Sequence, residues 1–302
     1  MRKTRLIAGL GLAAITALAL TACNSGTPGA APTDDAGDTD EGTAWFEVAT
    51  DVSLEGSPTF DKISSAGKVV IGVKEDQPNL GYVDVVTGER SGFDVDIARW
   101  IAASLGIDED GIEFVRIDSG AREQSIVNGD IDYYVGTYSI TDKRKEQIDF
   151  AGPYFITGQG LLVRSDSTIE SEADLGPDTK VCSVTGSTPI QNIRTNYPDV
   201  PTTEFSGYAE CVEALLSNSV QAVTTDQAIL IGYAAQFPDE LKVVGEPFST
   251  ELYGIGLPKG DDALRHFINT MFTDGGDTWT KIYDATLGAS GTKVTQPAVD
   301  DY

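Results

Sequence analysis

Histidine occurs once in the 302 residues and cysteine three times, and the 21 Lys and Arg are outnumbered by 47 Asp and Glu. Each scarcity excludes something. One histidine gives a zinc-type metal site too few ligands. That residue, His266, lies in the helix-like stretch DDALRHFINTMF, where a surface or core role is the simpler reading. A formal charge of −26 leaves no basic surface for phosphates, so nucleic acid is excluded as a partner and adsorption to anionic lipid is disfavoured. Any bound anion must find a local positive site in a repulsive background. No activated nucleophile or catalytic histidine constellation stands out, so the chain does not read as an enzyme, and no cofactor is implied. Long apolar runs are scarce too, with LIAGLGLAAITALAL at 6–20 too short for a comfortable membrane span.

That run follows Arg2, Lys3 and Arg5 and reads as a signal peptide over residues 1–22. It ends in Leu20-Thr21-Ala22-Cys23, which resembles the bacterial lipobox, whose cysteine is lipidated and becomes the mature N-terminus. The alternative is an ordinary signal peptide with an incidental cysteine. The lipobox reading predicts a domain held by a lipid anchor at the extracellular face of the cytoplasmic membrane. Residues 23–59 then form the lipidated N-terminus and a disordered acidic tether, since 24–43 (NSGTPGAAPTDDAGDTDEGT) lack bulky apolar side chains. In an oxidising compartment the two other cysteines, Cys182 and Cys211, suggest a disulfide, with two buried thiols as the alternative.

The remainder alternates strand and helix signals. GKVVIGV is a short β-branched run, a buried strand. GFDVDIARWIAASLG sets Ile97, Ala98, Ile101 and Leu105 on one helical face, with acids in the first turn and Gly106 as a stop. GIEFVRI and IDYYVGT are further strands, with a short helix in AREQSIVNGD between them. TKVCSVTG, STPIQNIRTNY, SGYAECVEALLSN and SVQAVTTD repeat the alternation, and GEPFSTELYGIGLPKG adds a closing strand. This pattern predicts an α/β fold with largely parallel sheets. SIVNGDIDYYVGT and LLSNSVQAVTTD share one plan: a helix end, a polar turn, then a strand ending in small polar residues. Their register sets Thr137 against Asp226, which predicts two similar lobes facing a shared cleft at their strand ends.

Four stretches, GVKEDQP, SGFDVDIARWIA, YSITDKRKEQIDFAGPY and YGIGLPKG, resemble in order and spacing the extracellular solute-binding proteins of polar amino-acid ABC importers. CSVTGSTP followed by CVEAL is similar to the glutamate-binding lipoproteins of actinobacteria and supports a Cys182–Cys211 pair. The resemblance implies a periplasmic-binding-protein-like fold, two α/β lobes joined by two hinge strands. Lobe one would be about 60–155 plus 253–296, and lobe two 158–249.

It also implies a site. Arg144 in ITDKR would pair bidentately with the ligand α-carboxylate, which suits a planar guanidinium better than a lysine. Lys143 and Lys145 are left as solvated charges. Thr137 and Ser139 would add contacts, Ser187 and Thr188 would offer backbone N–H groups at a helix start, and Asp226 would receive the α-ammonium. Lys74 and Arg122 match basic positions in relatives that bind aspartate or glutamate. Read without the resemblance, Lys74 could simply end a strand facing solvent. Arg122 begins a helix, where a cation opposes the dipole and needs another reason. Relatives often clamp the ligand with aromatic side chains where this chain has Asp76 and Ser119, so either Tyr138 is the substitute or the pocket is more polar.

The expectation is therefore a monomeric receptor that captures L-glutamate, then L-aspartate, for permease subunits in the membrane. Glutamine or asparagine binding, and sensing for a membrane signalling partner, are the alternatives.

Overall fold

The computed structural model describes residues 46–288 and 294–302. The expected signal peptide, Cys23 and the expected tether up to residue 45 lie outside the described residues, as do 289–293 of the expected lobe one.

The β-branched run Val69–Val73 forms a strand at the heart of the first sheet. Ile112–Arg116 and Tyr133–Tyr134 lie parallel to it on either side. Glu251–Leu257 then adds antiparallel to Tyr133–Tyr134, and Asp149–Thr157 closes that edge antiparallel to Glu251–Leu257. The second sheet repeats the plan: Thr202–Phe205, Val181–Val184 and Ala222–Asp226 run parallel. Gln159–Arg164 and Leu241–Val244 follow, antiparallel. Both sheets are thus more mixed than the helix–strand alternation predicts. The cause is the crossing: a strand that leaves one sheet and a strand that returns to it need no helical connection, so they pair antiparallel.

The chain crosses between the lobes twice. Thr157 ends one sheet and Gln159 begins the other, with Gly158 alone between them. Residues 245–250 carry the return. The crossings touch: a Cβ on Gly158 would stand 2.4 Å from the Ser249 carbonyl oxygen and 2.7 Å from Pro247 Cβ. Only glycine fits there.

Helix Phe93–Ser104 buries Ile97, Ala98 and Ile101, and its C-cap Leu105 is buried with them, so the predicted face is the one turned to the core. Ordered structure starts earlier than the sequence suggests. Val52 and Leu54 pack on the lobe-one core, and the Ala49 amide donates to the Ala103 carbonyl at 2.8 Å. Ser57 caps helix Pro58–Ala66 and also donates to Asp261 at 2.9 Å. The tether expected to reach residue 59 is therefore folded from at least 46 onward, because its last stretch has apolar side chains and a cap that 24–43 lack. At the other end, the Asp300 amide donates to Gly152 O at 2.8 Å, and Phe150 N donates to Tyr302 Oη at 3.0 Å.

Cys182 and Cys211 are bonded, with Cα atoms 5.5 Å apart, and tie strand Val181–Val184 to helix Tyr208–Leu216. Closing a loop of this size contributes about 3–4 kcal/mol in the chain-entropy description. His266 sits exposed on helix Asp262–Asp274 beside Asp301. Among the described residues no cluster of His, Cys, Asp and Glu is set to hold a metal, and no helix is long and apolar enough to cross a membrane.

Candidate functional site

Two cavities deserve comparison. The larger, about 250 Å³, is apolar and lies beside the crossings, lined by Phe155, Ile156, Gly158, Ala228 and Ile231 among others. Nothing in that lining carries a charge to hold a zwitterion. The second is small and polar and lies where the strand ends of the two lobes face each other. Arg122, Thr137, Ser139 and Arg144 line it from lobe one, and Ser187, Thr188 and Asp226 from lobe two. Its volume is about 10 Å³, room for roughly one water. Anything of amino-acid size enters only when the lobes move apart.

Thr137 is a β-branched residue at φ 47°, a conformation its side chain disfavours by about 1 kcal/mol or more. Three bonds hold it there. Its amide donates to Asp94 Oδ2 at 3.0 Å, its hydroxyl to Gln77 Oε1 at 3.1 Å, and its carbonyl accepts from Arg122 Nη1 at 3.4 Å. Tyr138 is fully buried between Tyr134 and Phe150 and serves as a platform under two guanidinium groups, Arg122 at 4.2 Å and Arg144 at 4.8 Å from the ring centroid. The expectation that Tyr138 replaces an aromatic clamp facing the ligand does not match this placement: the ring lies on the face opposite the cleft-lining Thr137 and Ser139, packed against Tyr134 and Phe150. Tyr208 of lobe two lines the cleft instead.

Arg144 is held at three points, by Glu123 through Nε at 3.0 Å, by the Ser139 carbonyl through Nη1 at 2.6 Å and by the Gly186 carbonyl through Nη2 at 3.0 Å. A guanidinium has five N–H donors, so one on each terminal nitrogen remains for an oxyanion. Burial and then Arg122 hold its pKa below the usual arginine value. Arg122 donates to the carbonyls of Ser119 at 3.0 Å, Thr137 at 3.4 Å and Gly186 at 3.4 Å. The Gly186 carbonyl of lobe two therefore receives both arginines.

Lys74 is buried, not solvated, but it stands one layer behind the cleft. Its Nζ donates to the Ile117 carbonyl at 3.1 Å and to Ser119 Oγ at 2.9 Å. Burial, with Arg122 second, lowers its pKa to about 7. Among the described residues neither Lys74 nor Arg122 has a carboxylate within salt-bridge distance. Two buried cations without an ion-pair partner are costly unless an anion arrives.

Lobe two supplies the opposite sign. Asp226 ends strand Ala222–Asp226 and accepts from Tyr253 Oη at 2.7 Å through Oδ2, while Oδ1 is buried with no partner. Burial and then Glu251 push its pKa up to about 7. Thr188 donates to Glu251 Oε2 at 2.9 Å and lies 3.3 Å from Ser139 Oγ. Ser187 does not offer the free amide expected of it. Its N–H donates to Val184 O at 3.1 Å and its hydroxyl caps the helix through Ile190 N, leaving Thr188 as the helix-start donor. Of the neighbouring lysines, Lys143 is exposed, whereas Lys145 is not the free surface charge predicted: its Nζ lies 3.5 Å from the Tyr302 ring centroid. Sequence reading missed Tyr253 and Glu251, which share the strand that returns from lobe two. An acid opening the otherwise apolar stretch ELYGIGL was the available signal.

The chain matches known proteins over most of this folded region. Residues 69–288 match the family described as bacterial extracellular solute-binding proteins, family 3. The glutamate-binding protein GluB of Corynebacterium efficiens is 43% identical over 223 residues, spanning 69% of this chain and 76% of that one. The glutamine-binding protein of Geobacillus stearothermophilus is 43% identical over 204 residues, 68% of this chain and 78% of its own. Among solved structures, the cysteine-binding protein from Campylobacter jejuni has a TM-score of 0.74 at 31% identity, covering 80% of this chain and 98% of that chain.

Proposed function

This chain belongs to the bacterial extracellular solute-binding proteins of family 3, and from that premise we propose that its ligand is an acidic amino acid, L-glutamate before L-aspartate, passed to the permease of an ABC importer. The observation that carries the acidic assignment is the pair of buried cations, Arg122 and Lys74, with no salt bridge among the described residues. The α-carboxylate falls to the two remaining donors of Arg144, and the α-ammonium to the unpartnered Oδ1 of Asp226. A side-chain carboxylate then meets Arg122, with Lys74 behind it. Lobe one grips one end of the zwitterion and lobe two the other, so binding favours the closed arrangement of the lobes.

The glutamine-binding relative, equal in identity to the glutamate-binding one, supports a second reading, an amide ligand. An amide would leave Arg122 hydrogen-bonded but not neutralised, at a cost of about 2–5 kcal/mol for a buried charge. Titration calorimetry against glutamate, aspartate, glutamine and asparagine decides between them. Glutamate is expected to bind tightest, and Arg122→Ala to weaken the two acids far more than the two amides. Equal weakening of all four would reject the acidic assignment. We further propose lipid anchoring through Cys23 at the outer face of the cytoplasmic membrane, which the mass of the mature N-terminal peptide would test.

A further inference from the structure

Away from the arginines, lobe one reaches lobe two through the turn that carries Asp76. Its carboxylate Oδ2 accepts the amides of Tyr208 at 2.7 Å and Ala209 at 3.3 Å, the first residues of the lobe-two helix Tyr208–Leu216. Its backbone carbonyl accepts a short hydrogen bond from the hydroxyl of Tyr233, on the neighbouring lobe-two helix Gln227–Gln236. Two glycines clear the landing. A Cβ on Gly207 would come 2.7 Å from Asp76 Oδ2, and one on Gly232 would come 2.7 Å from the Pro78 carbonyl oxygen. The next residue, Gln77, accepts from the Thr137 hydroxyl at 3.1 Å, so the same turn that lands on lobe two touches the floor of the binding cleft.

An aspartate seated on a helix N-terminus meets unsatisfied N–H groups and the positive end of the helix dipole. Here the two partners belong to different lobes, so the bond exists only while the lobes are together. Asp76 does not line the polar cleft. Its contribution is therefore to closure and not to recognition.

We propose that Asp76 is an interlobe latch whose carboxylate, bound to the start of helix Tyr208–Leu216, sets the balance between closed and open receptor and so scales affinity without selecting the ligand. The inference rests on the reading of this protein as an amino-acid receptor that closes on its ligand. Apparent affinity is the intrinsic affinity multiplied by the closed fraction, so a lost latch weakens every ligand by one common factor. Charge-assisted bonds of this kind correspond to a factor of about 5–30.

Two variants test it. Asp76→Ala removes the acceptor, and Gly207→Ala leaves it in place but drives a methyl group into it. Gly207 has φ −131°, which alanine adopts freely, so the second variant adds no backbone strain beyond the contact with Asp76. Calorimetry with glutamate and glutamine should show both ligands about 5–30-fold weaker in each variant, with their ratio unchanged. Small-angle scattering of the unliganded variants should give a larger radius of gyration than the parent protein. Unchanged affinity and unchanged scattering would overturn the latch. A shifted glutamate-to-glutamine ratio in Asp76→Ala would also overturn it, by making Asp76 a ligand contact. A parent protein that binds no amino acid would reject the receptor reading, and the scattering comparison would still decide the latch alone.

Discussion

Arg122 and Arg144 stack on the same tyrosine ring and both donate to the same carbonyl, an arrangement of like charges that a folded chain gains nothing from alone. Asp226 is the counterpart across the cleft, an acid whose pKa rises from 3.8 to about 7 because burial, and then Glu251, disfavour its charge. At neutral pH its ionised form strains the empty protein and suits a ligand ammonium. Asp226→Asn is accordingly expected to raise the melting temperature at pH 7 by a few degrees, about 2–4 °C per kcal/mol for a domain of this size, while abolishing amino-acid binding. Differential scanning calorimetry beside a binding titration checks both halves. A lower melting temperature in the variant would show that Asp226 is structural. Arg144→Ala should remove detectable binding of all four candidate amino acids, because the α-carboxylate is common to them. Retained binding of any one would move the anchor elsewhere.

At the scale of elements, the crossing strands make the sharpest test. Gly158→Ala would place a methyl group 2.4 Å from the Ser249 backbone oxygen, and backbone cannot rotate out of the way as a side chain can. A loss of about 1–3 kcal/mol in stability is expected from the forced shift, with weaker binding of every ligand, measured by denaturant titration and calorimetry. An unaffected variant would mean that the two crossings separate easily. These same elements show how far the sequence could be read. VVIGV and VCSV are legible as buried strands because β-branched residues fill both faces. The Thr137–Asp226 correspondence is legible because strand ends carry a side chain to a fixed place, and the structure sets both residues in one cleft. The antiparallel halves of the sheets were not legible, since pairing partners from about 60 to about 120 residues apart leave no local signal. The burial of Tyr138, by contrast, was legible: Thr137 and Ser139 on either side of it line the cleft, so alternation turns it to the opposite face with Tyr134. Asp76 looked like a missing aromatic because its partners, the amides of Tyr208 and Ala209, lie in the other lobe.

For the molecule as a whole, two buried groups of opposite type shape the dependence of stability on pH. Asp226 holds its proton up to about 7 in the folded protein, against 3.8 as its ordinary value. The folded state therefore binds the extra proton between those limits, and this group makes stability fall as pH rises through them. Lys74 is the mirror case. Its folded pKa of about 7, against 10.5, leaves the unfolded chain with the extra proton between those limits, so this group makes stability rise as pH climbs above 7. Together they predict a shallow minimum near neutrality in the unliganded protein. Asp226→Asn should reduce the acid arm, of which buried Asp94, raised to about 6, keeps a part, and Lys74→Met should flatten the alkaline arm in melting curves taken from pH 4 to 10. Superimposable profiles for parent and variants would show that neither group titrates in the folded state. The lone glycine between Thr157 and Gln159 has one more effect. One residue spans at most about 3.6 Å, so the two sheets have almost no slack along that edge. They can swing like the covers of a book, but they cannot slide past one another. The gap at the mouth must then be widest far from the spine.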